Sequence, residues 1–254
     1  MELDINKNLG IIEILTKSLE FFRENIKTIL MISLIVSIPV FFISRLILEL
    51  FFKSLLSVSS ESFSYSNSGS MIQTLLSFTG VMLILGLISG LLVTMGLAYF
   101  ISKKIKGEKS DYKKALQKAV SKLPIGLGTS IFEGILLVIL FILLILPGIY
   151  FSYLWVFATY AIVLRDKSWM KALDYSKSIV QGRWWSLFGK LLVMGIIVGI
   201  AAIVVIFVVA LVVQLIPLAI VQNLIIDCVG WAIKAYTLVV LTILFLNMEA
   251  TKKA

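Results

Sequence analysis

The sequence predicts an all-α, polytopic membrane protein: a bundle of about six transmembrane helices with amphipathic helices along one interface. Three observations predict it. Sixty per cent of the residues are apolar and only 15% are charged, against about 45–50% and about 25% in soluble domains. The apolar residues are gathered into uncharged stretches of about 18 residues or more, the length a spanning helix needs. Lysine and arginine are concentrated in alternate connecting segments, as they are where one side of a membrane retains positive charge.

Residues 9–24 place Ile12, Leu15, Leu19 and Phe22 on one helical face and Glu13, Lys17, Glu20 and Glu24 elsewhere. That pattern predicts a helix lying in the membrane interface. The first span is expected over 28–50, kinked at Pro39, because a membrane helix tolerates proline when neighbours satisfy the freed carbonyl. A serine-rich stretch, 53–70, reads as a loop. The second span, 71–101, would be about 46 Å long, so it must tilt or project beyond a core of about 30 Å.

A lysine-rich segment follows, 103–122, with Ser110 as the expected N-cap and Tyr112, Ala115, Leu116, Ala119 and Leu123 on one face. The third span is expected over 124–146 and the fourth over 149–164, joined by a turn at Pro147-Gly148. The fourth is short enough that its turn should dip into the bilayer beside protein. A second basic amphipathic segment, 165–190, carries Trp169, Ala172, Leu173, Ser176, Ile179 and Val180 on one face. Gly182 is its expected C-cap, and Trp184 with Trp185 should lie in an interfacial aromatic belt. Spans five and six are expected over 191–213 and 224–247.

Orientation follows from the basic residues. The segment up to Lys27 holds four, 102–122 eight, 165–190 six and the C-terminal tail two; the opposite connections hold Lys53, and Arg45 and Lys234 lie within spans. Twenty against one puts both termini in the cytoplasm. The net charge of +9 thus reads as topology and as attraction for anionic lipid head groups. Nucleic acid is not an expected partner. The three amphipathic segments also suggest a repeat, each unit consisting of an interfacial helix followed by a helical hairpin.

Charges inside a bilayer are costly and often functional. Glu133 and Lys234 are the leading candidates, either as a polar pathway or as a buried interhelical pair. Arg45, Glu49 and Asp227 lie toward outer span ends, where pairing or snorkelling is the plainer reading. Gly86 with Gly90 and Gly195 with Gly199 have the small-xxx-small spacing that allows close helix packing, which would make spans two and five central. There is no histidine and a single cysteine, Cys228. No nucleophile elbow, phosphate loop, dinucleotide fingerprint or metal-ligand spacing is present. Neither enzymatic activity nor a cofactor is expected.

The motifs Leu146-Pro147-Gly148-Ile149-Tyr150, Lys171-Ala172-Leu173-Asp174-Tyr175-Ser176 and Gly182-Arg183-Trp184-Trp185-Ser186 occur in order. Over about residues 120–215 the chain resembles the membrane domain that accompanies some glycerophosphodiester phosphodiesterases, and the related YciC-like bacterial membrane proteins. In that family the chemistry belongs to a separate barrel with histidines and a metal, and this chain has no histidine. The resemblance implies a stand-alone membrane domain without the phosphodiesterase chemistry. The leading expectation for the chain is a non-enzymatic structural or accessory module of the prokaryotic plasma (inner) membrane, meeting a protein partner at its cytoplasmic face. A small transporter or channel using Glu133 and Lys234 is the second expectation.

Overall fold

The computed structural model describes residues 7–60 and 65–252. Among them the regular structure is entirely helical: α1 (Ile11–Ser60), α2 (Tyr65–Ile105), α3 (Tyr112–Leu143), α4 (Ile145–Trp155), α5 (Ala158–Arg165), α6 (Met170–Val180), α7 (Trp184–Val213) and α8 (Ala219–Ala250). Among the described residues, six helical stretches are long and apolar enough to cross a membrane: Ile11–Leu56, Met71–Ile105, Tyr112–Leu143, Ile145–Arg165, Trp184–Val213 and Ala219–Ala250. The protein is therefore an all-α, multi-pass membrane bundle.

The chain forms two compact units. One is Ile35–Gly90; the other joins the chain up to Leu34 with Leu91 onward. The smaller unit contains the distal parts of α1 and α2. Phe51 stacks on Phe78 at 4.2 Å between ring centres, and the Arg45 guanidinium lies 5.1 Å from the Phe41 ring centre. The serine-rich stretch departs from expectation. It is helical up to Ser60 and again from Tyr65, while 61–64 lie outside the described residues. Serine disfavours a helix only weakly, so continuation of two long helices outweighs it.

The larger unit is organised around the second half of α8. Residues Ala235, Val239, Ile243, Leu244 and Phe245 are fully buried. Phe245 packs against Phe157 and stacks on Tyr160, with ring centres 5.4 Å apart in each case. The end of α2 supplies Met95, Leu97, Ala98, Phe100 and Ile101 to the same core. From α6 come Ala172, Leu173, Ser176, Ile179 and Val180, the face read from spacing, whereas Trp169 is exposed. The expected centrality holds for the end of span two, which enters this core, but needs correction for span five. Only 6% of the apolar window of α7 is buried, against 50% for α8.

The glycine pairs explain part of that correction. A Cβ added at Gly86, Gly90, Gly195 or Gly199 meets nothing within 4 Å, so these are not points of close approach. The spacing marks a face but not whether a helix lies opposite. The close approaches are elsewhere. A Cβ on Gly148 would lie 2.5 Å from the Phe141 ring, and one on Gly128 2.9 Å from the Trp169 indole.

Breaks and caps also moved. The non-helical residue in α1 is Asn25 (φ −116°, ψ 15°), with Pro39 inside the helix. Asn25 covers the kink by donating its side-chain amide to the Phe21 carbonyl at 3.0 Å. α3 is capped by Asp111, whose carboxylate accepts from the Lys114 amide at 2.9 Å, rather than by Ser110. The turn expected at Pro147-Gly148 falls instead at Leu144, which is extended (φ −159°, ψ 129°), and Pro147 occupies the first turn of α4. There its missing N–H has no intrahelical acceptor to lose. The fourth apolar stretch is itself divided at Val156-Phe157. The Ser176 hydroxyl bridges that break, donating to the Leu154 carbonyl at 2.7 Å and accepting from the Phe157 amide at 3.1 Å. Gly182 lies just beyond the end of α6 at φ +82°, the left-handed position glycine fills most cheaply.

The expected three-fold repeat of interfacial helices is not present. α6 stands alone, but 112–122 continue unbroken through Pro124 into α3. The first segment docks along α8. The Leu9 amide meets the Asn247 side chain at 3.5 Å, and Tyr236 donates to the Leu15 carbonyl at 3.2 Å. This segment has a second apolar stripe, Ile14 and Phe21 with Ser18, and the protein core buries it. The stripe read from spacing, including Leu15, Leu19 and Phe22, instead lines a cavity of about 470 Å³ against α7 and α8.

Candidate functional site

The densest polar network lies at the basic end of the larger unit, where α5, α6, α7 and α8 meet. The end of α8 and its C-cap carry Asn247, Glu249 and Thr251, three residues whose side chains can accept hydrogen bonds. Arg165, at the last turn of α5, donates Nε to Glu249 at 2.6 Å and forms a second bond from its other nitrogen to the same carboxylate. Tyr175 on α6 donates its hydroxyl to Glu249 as well. The bidentate geometry is the strong form of an arginine–carboxylate pair, and Glu249 is only 11% exposed. Burial, followed by the Glu249 carboxylate, pushes the Tyr175 hydroxyl above its ordinary range. It stays protonated at neutral pH and so remains a donor.

Arg183 reinforces the same end. It donates to the Met248 carbonyl at 2.6 Å, the Ile179 carbonyl at 2.9 Å and the Thr251 hydroxyl at 2.8 Å. The first two acceptors are among the last carbonyls of α8 and α6, which lack intrahelical donors. Asn247 donates to the Lys7 carbonyl at 2.7 Å, and Lys190 donates to the Leu9 carbonyl at 3.0 Å and the Asn8 side chain at 3.1 Å. One layer of side chains thus ties the start of the chain to its last helix.

Beside this layer, the turn after α5 is strained. Asp166 (φ 51°) and Trp169 (φ 50°) both adopt positive φ, which costs a non-glycine residue of order 1–3 kcal/mol. The strain is held by contacts. Asp166 accepts from Lys122 at 2.6 Å and from Lys118 at 3.2 Å, and the Trp169 amide donates to the Thr129 hydroxyl at 3.1 Å. The Lys122 and then the Lys118 ammonium hold the Asp166 carboxyl below its ordinary range.

The residues singled out from the sequence fare differently. Glu133 is half-buried on α3 and Lys234 is exposed on α8. No hydrogen bond or ion pair joins Glu133 to Lys234 among the described residues, so the anticipated pair is not formed. Glu49 pairs with Lys53, one turn on, at 2.8 Å on an exposed face, rather than with Arg45. Asp227 is partly buried on α8. Of the motif residues, Pro147 and Gly148 open α4, Gly182 closes α6, and Arg183 joins the polar layer. Trp184 stacks on Phe188 and lies at right angles to Trp185. Sequence reasoning missed Arg165, Tyr175 and Glu249. Arg165 and Glu249 sit at the ends of apolar runs, where a charge reads as a helix boundary; only the fold shows that these two ends coincide.

No curated protein and no solved structure matches the chain. One family model does match, over residues 74–251 and hence over all of α3 to α8. The chain belongs to the family described as Domain of unknown function (DUF7847).

Proposed function

We propose that the protein is a non-catalytic accessory module of the plasma membrane, presenting a rigid basic platform to anionic lipid head groups and to a cytoplasmic partner. The observation that carries this reading is the Arg165–Tyr175–Glu249 cluster with Arg183. Its groups satisfy one another and the helix ends, as in a brace rather than a reactive site. Around it Lys104, Lys106, Lys109, Lys113, Lys114, Lys167 and Lys171 are exposed, and each such cation near an anionic surface contributes roughly 1 kcal/mol of attraction. The positive-inside rule makes this face cytoplasmic. The resemblance to phosphodiesterase-associated membrane domains agrees with an accessory role.

Thermal unfolding in neutral detergent tests the proposal, with added anionic or zwitterionic phospholipid. Anionic lipid should raise the midpoint and zwitterionic lipid should not. Replacing Lys104, Lys106, Lys109, Lys113 and Lys114 together by Gln should abolish the difference. Equal stabilisation by both lipids, or an unchanged response in the variant, rejects it.

A further inference from the structure

We infer that α3 and α4 form a re-entrant hairpin that docks its apolar tip into the acyl chains of the leaflet on the basic side and returns without crossing the bilayer. The inference is independent of the proposed function and rests on where α4 returns. α7 begins at the basic end, because Arg183 holds Met248 at the end of α8 and its C-cap Thr251. At that level the Trp184 indole donates to the Tyr150 carbonyl at 3.1 Å, and Tyr153 packs on Phe188 with ring centres 5.2 Å apart. Tyr150 is only six residues beyond the break at Leu144, a rise of about 9 Å. The tip therefore reaches no more than about 9 Å past Tyr150, whereas the hydrocarbon core is about 30 Å thick. α7, starting from the same level, runs for 30 residues, or about 45 Å.

The course of α3 agrees. Its Ala115 and Leu116 approach Gly96 of α2, and its Gly126 approaches Leu91 and Met95 of α2. Between those contacts α3 advances by about 15 Å while its contact point on α2 moves by less than about 8 Å. α3 thus crosses α2 steeply instead of running antiparallel to it, so a helix of 32 residues gains little depth.

The tip is built for lipid. Ile142 and Leu146 are 78% and 79% exposed, and Leu143, Leu144 and Ile145 are similarly bare. Unsatisfied backbone is not tolerated in hydrocarbon, and here the break is a single residue bonded on both sides. The Leu144 amide donates to the Leu140 carbonyl at 2.9 Å, and the Leu144 carbonyl accepts from the Gly148 amide at 3.3 Å. Gly148 lets the two arms close, with Phe141 packed on its bare Cα. The aromatic group of Trp184, Trp185, Tyr150 and Tyr153 at the base sits where ring side chains favour the interface. On this reading the bundle crosses the bilayer four times, through α1, α2, α7 and α8.

Single cysteines in a Cys228→Ser background test it, placed at Leu144, Leu146 and, as a marker of the opposite face, Pro217 in the α7–α8 turn. Each variant is first checked for the elution profile of the parent. An impermeant maleimide is applied to right-side-out and inside-out vesicles. Pro217→Cys should react from one side only, and neither Leu144→Cys nor Leu146→Cys should react from that side. Bimane attached at 144 should then be quenched by phospholipid carrying a nitroxide on its acyl chain. Reaction at 144 from the side that reaches 217 overturns the inference, because the hairpin then crosses. Absence of lipid quenching with disulfide cross-linking between copies at 144 also overturns it, because a second copy then covers the tip.

Discussion

α7 and α8 are neighbours of similar length and opposite solvation. α7 carries the more apolar stretch and buries 6% of it within the protein; α8 is less apolar and buries 50%. In a soluble protein the order would be reversed, since apolar surface is hidden from water. In a bilayer, lipid tails are as apolar as leucine, so hydrophobicity alone does not draw a helix to the centre. What draws α8 inward is shape and polarity. Its second half packs Phe245 on Phe157 and Tyr160, and its end carries the acceptors that Arg165, Tyr175 and Arg183 require.

The sharpest way to break this comparison is to truncate one phenylalanine on each helix. Phe245→Ala removes a fully buried ring packed on Phe157 and Tyr160 and should cost about 3–5 kcal/mol. Phe207→Ala on α7, 63% exposed, should change stability by no more than about 0.5 kcal/mol. Reversible unfolding in bicelles measures both, and equal losses would mean that α7 is buried as deeply as α8.

The glycines sharpen the same contrast at smaller scale. Gly148→Ala forces a Cβ against the Phe141 ring and should cost about 1–3 kcal/mol as overpacking. Gly195→Ala enters open space and should be neutral or stabilising by up to about 1 kcal/mol, because alanine favours the helix. A destabilised Gly195→Ala variant would restore the packing role that its spacing suggested. Here the limit of sequence reading is visible. Gly195-xxx-Gly199 has the spacing and lacks a partner, while Gly148 was read as a turn residue and serves as a contact.

The smallest effect is electrostatic. The Asp166 carboxyl lies below its ordinary range through Lys122 and Lys118. Its depressed pKa makes the contribution present above the ordinary carboxylate range and lost as pH falls through the folded value. Both partners are near the surface, and screening keeps the contribution below about 1 kcal/mol. Between about pH 6 and about pH 3, the parent should lose slightly more thermal stability than Asp166→Asn, which keeps the left-handed backbone acceptable. A steeper decline in the variant would contradict the assignment.

Much of the helical layout was legible beforehand because it depends on local properties. Uncharged runs, the basic segments between them, the buried face of α6 and the left-handed Gly182 all follow from composition and short-range geometry. The candidate site was hardly legible. Arg183 was noticed as part of a motif, but Glu249 looked like a helix end and Ser176 like one more core position. Their roles depend on bringing Leu154, Tyr175 and α8 together across long sequence separations.

By itself the sequence determined that the apolar runs become helices and which ends carry positive charge, because backbone satisfaction and charge transfer cost are decided segment by segment. Only the tertiary structure decided which apolar face meets protein and which is left for lipid, that Leu144 and not Pro147-Gly148 is the break, and that Glu249 is the node of the basic end. Side-chain periodicity reports that a surface is apolar; it carries no record of what will lie against it.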